Sequence, residues 1–164
     1  MQRHMSRMRA AAAAYRQRAT GVRRGVTMVE SALMMLAFLI AVLGMIEVGM
    51  AVFRHHVVGQ AARQGARLAM VRGELAPPEL PAWGPATYTG AASSSDAIPT
   101  AIRPYLAGLD VASTNIRMEW LDGDTEVGSR VRVVISTPHR PFITYPLGGS
   151  GWTLNGSSTM HIAH

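Results

Sequence analysis

From Val26 to Phe53 the chain runs 28 residues interrupted only by Glu30 and Glu47, and Ser31 to Ile46 is uncharged throughout. At 1.5 Å per residue such a helix spans about 42 Å, against roughly 30 Å of bilayer hydrocarbon. The segment is long enough to cross a membrane. A buried core helix is the competing assignment, but the rest of the chain holds too little apolar sequence to surround it. With 164 residues in total, there is room for this anchor and one small domain.

Charge is distributed unevenly around that segment. Residues 1–25 carry seven arginines and no acid, whereas the remainder sets nine arginines against ten carboxylates. The net charge of +6 therefore resides in the N-terminal leader and does not describe a nucleic-acid-binding domain. Tyr15 is the sole aromatic residue in the leader, which leaves no stacking platform for bases. Cysteine is absent, which excludes disulfides, thiol catalysis and thiolate metal sites. Lysine is absent too, which excludes a Walker-type phosphate loop and a Schiff-base site.

The pattern predicts an α+β chain in five parts. Residues 1–25 form a basic, alanine-rich leader, weakly helical or poorly ordered. Residues 26–53 form the transmembrane helix, which continues as a periplasmic extension over 54–72, since no proline precedes Pro77. In the extension Val57, Val58, Ala61, Ala62, Gly65, Ala66 and Ala69 recur at helical spacing, a stripe of small side chains suited to close packing by a helix or a sheet. Residues 73–100, rich in Pro, Ala and Ser, read as a linker. Residues 101–164 read as a small domain: a short helix over 100–106 broken by Pro104, then an antiparallel sheet of about three strands. Ile116, Met118 and Trp120 alternate with Arg117, Glu119 and, as an exception, the apolar Leu121, and Val131, Val133 and Ile135 alternate with Arg130, Arg132 and Val134. Asp122-Gly123-Asp124 supplies a turn between them. A proline- and glycine-rich loop follows over 138–151, and 159–162 returns as the third strand.

The start of the apolar run carries the chemistry. Arg23-Arg24-Gly25 precedes Val26-Thr27-Met28-Val29-Glu30. The arginines hold the preceding chain on the cytoplasmic side, and Gly25 offers a peptidase an unhindered bond at the membrane face. Glu30 is then a carboxylate inside the membrane segment, costly unless it finds a cation. Six arginines in the 20 residues before Val26 against four in the 20 after Phe53 favour a cytoplasmic leader and a periplasmic C-terminal domain.

These residues resemble the class III signal of type IV prepilins, in which a dedicated peptidase cuts after the glycine. The flank beyond resembles the TadE-like pseudopilin family of tight-adherence pili. Val29-Glu30-Ser31-Ala32-Leu33, Met45-Ile46-Glu47-Val48-Gly49 and Ala61-Ala62-Arg63-Gln64-Gly65-Ala66-Arg67 are similar to three blocks of that family in register. Ser31 stands where the family commonly has an aromatic residue, and Gln64 where it has Glu. The resemblance implies cleavage between Gly25 and Val26 by prepilin peptidase and pairing of Glu30 with an N-terminal amine during assembly. It also implies motif roles for Glu47, Gly49, Ala62, Arg63, Gly65, Ala66 and Arg67. Expected partners are the bacterial inner membrane, prepilin peptidase, other pilins or pseudopilins and the Tad secretion machinery, with homo- or hetero-oligomers formed through the N-terminal helix. No enzymatic activity and no nucleic acid are expected.

Other groups point to plainer roles. Glu47, about 31 Å up the helix from Val26, reads as an interfacial carboxylate. His55 and His56 are adjacent and so do not face each other on a helix, and His161 and His164 lie in a tail without a nearby carboxylate, so no metal or other cofactor is expected. Gly148–Gly151 lacks the lysine and following helix of a phosphate cradle. Two other functional classes compete. In one, the chain is an uncleaved signal-anchored periplasmic domain. In the other it is a secreted protein with a removable signal peptide, but the apolar run is too long for one and no small-x-small site follows it.

Overall fold

The computed structural model describes residues 2–142 and 148–163, with side chains from Gly25 onward. Pro146 of the predicted loop and His164 of the terminal histidine pair lie outside the described residues. The chain divides into two units at Met45/Ile46. The first is helix only. The second holds the end of the helix and all of the sheet.

Helix α1 runs from Gln2 to Met70. It begins well before Val26, so the leader backbone is helical rather than poorly ordered. The physical reason is composition: an unbroken alanine run from Ala10 to Ala14 among arginines, with no proline, is strongly helix-forming. Within Gly25–Met70 lies a stretch long and apolar enough to cross a membrane, none of it buried inside the protein. That exposure disposes of the core-helix alternative for the apolar run.

The second unit is an antiparallel sheet in the order β1-β2-β3-β4. Its strands are β1 (Tyr88–Ala91), β2 (Asn115–Trp120), β3 (Arg130–His139) and β4 (Trp152–His161). There are four strands where about three were expected. The additional strand is β1, in the segment read as a linker; it pairs Tyr88 with Met118 and Ala91 with Asn115. Helix α2 (Ala97–Ile102) also begins inside that segment; it ends before Pro104, which sits in a 3-10 turn over Arg103–Tyr105. β3 continues through Pro138, which pairs with Thr153. β2 begins opposite Ser136, so Pro138 lies where β3 has a neighbour on one side only, and a missing N–H is tolerated there.

Alternation sorts the sheet into two faces. Ile116, Met118, Val131, Val133 and Ile135 are fully buried, and Trp120 nearly so. Arg117, Arg132, Ser157 and Thr159 point outward. The covering layer is the second half of α1: Val58, Ala61, Ala62 and Ala66 are fully buried and Ala69 nearly so, in one cluster with the sheet residues and Ile102. Small residues four apart on one helix face let the backbones approach closely. A Cβ added at Gly65 would lie 3.1 Å from both Ile102 Cδ1 and Val133 Cγ1. A Cβ at Gly156 of β4 would lie 2.8 Å from the backbone N of Gly59 and the backbone C and O of Val58. The far end of the helix is tied in as well: the Ala163 N–H donates to the Met70 carbonyl at 2.8 Å, and the Arg72 guanidinium lies 4.1 Å from the centre of the Trp83 ring.

The β2–β3 connection is longer than a tight turn. Asp122 accepts from the Arg130 backbone N–H (2.7 Å), its Nε (3.1 Å) and its Nη2 (2.6 Å), which holds the Asp122 carboxyl down at about 2.

The helix–sheet contact generates a test with opposite signs. Gly156→Ala should destabilise the full chain by about 1–3 kcal/mol, because the new methyl meets backbone that cannot move aside. Gly59→Ala faces only the Arg63 guanidinium at 3.9 Å and should stabilise by about 0.5–1 kcal/mol by removing a helical glycine. Thermal unfolding in detergent, followed by circular dichroism, measures both.

Candidate functional site

The structure distributes the expected site residues over three places on α1. At the first, Gly25, Val26, Val29, Glu30 and Leu33 are all exposed. Gly25 and Val26 lie inside unbroken helix. The Ser31 hydroxyl donates to the Thr27 carbonyl at 2.8 Å, one turn back, so Ser31 satisfies itself within the helix and offers no aromatic surface. What remains on this face is an apolar surface with one carboxylate.

The third block behaves differently. Ala61, Ala62, Gly65 and Ala66 face the sheet and are buried, whereas Arg63 and Arg67 are exposed and Gln64 is half-buried. The small members of this motif therefore build the domain core. A change from Glu to Gln at position 64 removes no buried charge.

The second block brings together residues that sequence reasoning missed. Glu47, expected as an interfacial carboxylate, is half-buried, and Gly49 is exposed. Glu47 and Arg54 are seven residues apart and so share a helix face. Opposite them is His139, the last residue of β3 and only 3% exposed. Arg54 Nη1 lies 3.5 Å from His139 Nδ1, while His139 Nε2 and Arg54 Nε are buried without a hydrogen-bond partner among the described residues. The Trp152 ring packs on the His139 ring at 4.6 Å, tilted by 49°. No local spacing could announce this cluster, because 85 residues separate Arg54 from His139.

The electrostatics of the cluster favour a neutral imidazole. Burial pushes the His139 pKa below its ordinary value, the Arg54 charge acts in the same direction, and Glu47 opposes them. Elsewhere, the His55 and His56 rings lie 6.4 Å apart and tilted by 60°. No group of three metal-ligating side chains occurs among the described residues.

A depressed imidazole pKa has a definite consequence for stability. As pH falls below about 6.5, the unfolded chain takes up a proton that folded His139 resists, so folding stability declines. The melting temperature of the full chain in detergent should fall between about pH 6.5 and pH 5. His139→Gln should flatten that slope. An unchanged slope in the variant would assign it to other groups.

No curated protein and no solved structure matches the chain. Residues 25–67, from the glycine at the membrane face through the last arginine of the Ala-Arg block, match the family model described as TadE-like protein.

Proposed function

We propose that this chain is a TadE-like pseudopilin that takes part in assembly of a tight-adherence pilus. It would be anchored in the bacterial inner membrane, with the leader cytoplasmic and the sheet domain periplasmic. The observation that carries the reading is the family match over residues 25–67, which begins at the glycine expected to be cut. Prepilin peptidase would cleave between Gly25 and Val26. Both residues lie within a helix, so the bond must unwind locally before it can enter an active site. A helical glycine weakens the helix there by about 1 kcal/mol relative to alanine. The mature chain would begin with the exposed face of Val26, Val29, Glu30 and Leu33. Other pilins or pseudopilins of the Tad machinery would pack on that face.

Glu30 supplies the polar contact. Cleavage creates an α-amino group at Val26 that is largely charged at neutral pH. A carboxylate four residues along, in lipid, requires such a cation, and the amine of a neighbouring subunit supplies one inside a helix bundle. A second reading, an uncleaved anchor carrying a periplasmic domain, draws on the helix running unbroken through Gly25. The two readings differ in the mass of the membrane form.

Two outcomes are expected. N-terminal sequencing of the membrane fraction from cells with active prepilin peptidase should begin at Val26; a chain still beginning near Met1 supports the uncleaved anchor. Glu30→Val should leave insertion and processing intact while abolishing co-purification with assembly partners. Removing one member of a buried ion pair costs about 3–5 kcal/mol, which corresponds to loss of the complex. Normal fibre production by this variant would refute the pairing mechanism.

A further inference from the structure

One end of the sheet domain is fixed at a defined level of α1. His139 lies against Arg54 and feels the charge of Glu47, so the end of β3 is held beside the helix turns between those two residues. The register places Trp152, the first residue of β4, directly opposite His139, and the rings are in contact. The loop around Gly108 reaches the same level, because a Cβ there would lie 3.3 Å from Phe53 Cε1. In the same turns Val48, Met50, Val52 and Phe53 present exposed apolar side chains.

This end also exposes large aromatic surface. Trp152 is 48% exposed and Phe142, just beyond the end of β3, is 52% exposed, whereas Trp83 and Trp120 are buried. An exposed tryptophan against a polar Glu–Arg–His set, at the top of an apolar helix surface, matches the chemistry of a bilayer interface. There an indole buries its ring among acyl carbons and directs its N–H to headgroup oxygens.

We propose that this end of the sheet domain docks on the outer leaflet of the membrane that α1 crosses, with Trp152 at the level of the phospholipid headgroups. The inference rests on reading the apolar part of α1 as a membrane anchor. The occupant is lipid, not a protein partner, because the surface is continuous with the exposed apolar helix of the same unit. Docking would fix the direction in which the polar face of the sheet is presented to the aqueous side.

Tryptophan emission tests the proposal in the full chain reconstituted into phosphatidylcholine vesicles. The difference between wild type and Trp152→Phe isolates the Trp152 signal, and Trp152→Tyr supplies the same difference if the first variant misfolds. A spin label near the glycerol backbone should quench this signal, a label near the acyl-chain end should quench it little, and the maximum should be blue-shifted from that of tryptophan in water. Emission that neither label quenches and aqueous iodide does would overturn docking. So would protection that appears only as protein density in the vesicle rises, since that indicates a second copy. A Phe38→Trp reporter separates the premises: it should be quenched by the chain-end label. If it is and Trp152 is not, docking alone fails; if it is not, the anchor reading fails and docking with it.

Discussion

The contact between the small-residue stripe of α1 and the apolar face of the sheet is the interaction on which this structure depends. A four-stranded antiparallel sheet with one apolar face cannot stand alone in water. Among the described residues no other covering element has comparable length; α2 is a short helix of six residues. Cover comes from Val58 to Ala69 of the same helix whose earlier part is apolar and exposed. Alanine and glycine contribute little side-chain area, so the contact gains its strength from proximity. Backbone meets backbone at Gly156 and Gly59, and the larger side chains that fill the space, Ile102, Ile116, Met118, Val133 and Ile135, come from α2 and the sheet. A bulky residue in the stripe would hold the sheet away from the helix and open gaps around all of them.

This division of labour gives different meanings to the blocks that the family match spans. The segment around Gly25 and Glu30 lies outside the domain core, and its residues are exposed. Its residue types make sense as chemistry for processing and assembly, which is the proposed reading. Ala61 to Arg67, in contrast, is satisfied by packing within the chain. Glu47 falls between these cases. It lies on the helix face that meets His139, where it moderates the unfavourable proximity of Arg54 to a buried imidazole.

Much of the architecture could be read from residue order because it arises from local periodicity. The apolar run, the alanine–glycine stripe and the alternation at Ile116–Trp120 and Val131–Ile135 each carry their own period, and each forms the element expected. What escaped was decided by partners distant in sequence. Tyr88-Thr89-Gly90-Ala91 has little strand character among its prolines and serines, and becomes a strand because β2 offers it an open edge. β3 extends through Pro138 because β4 pairs with it beyond the start of β2. The His139 cluster needs strand, helix and the start of β4 at once. In the leader, expected as weakly helical or poorly ordered, the helix propensity of the alanine run prevails and α1 begins at Gln2.

Hydrogen exchange on the full chain in lipid nanodiscs tests the central claim, that the upper half of α1 is the core layer of the sheet domain. Under mildly destabilising denaturant, amides of residues 58–69 should exchange with the same opening free energy as those of β3, because neither element survives without the other. Exchange of 58–69 at a distinct free energy, with β3 still protected, would show the helix to be a stalk beside an independently folded sheet.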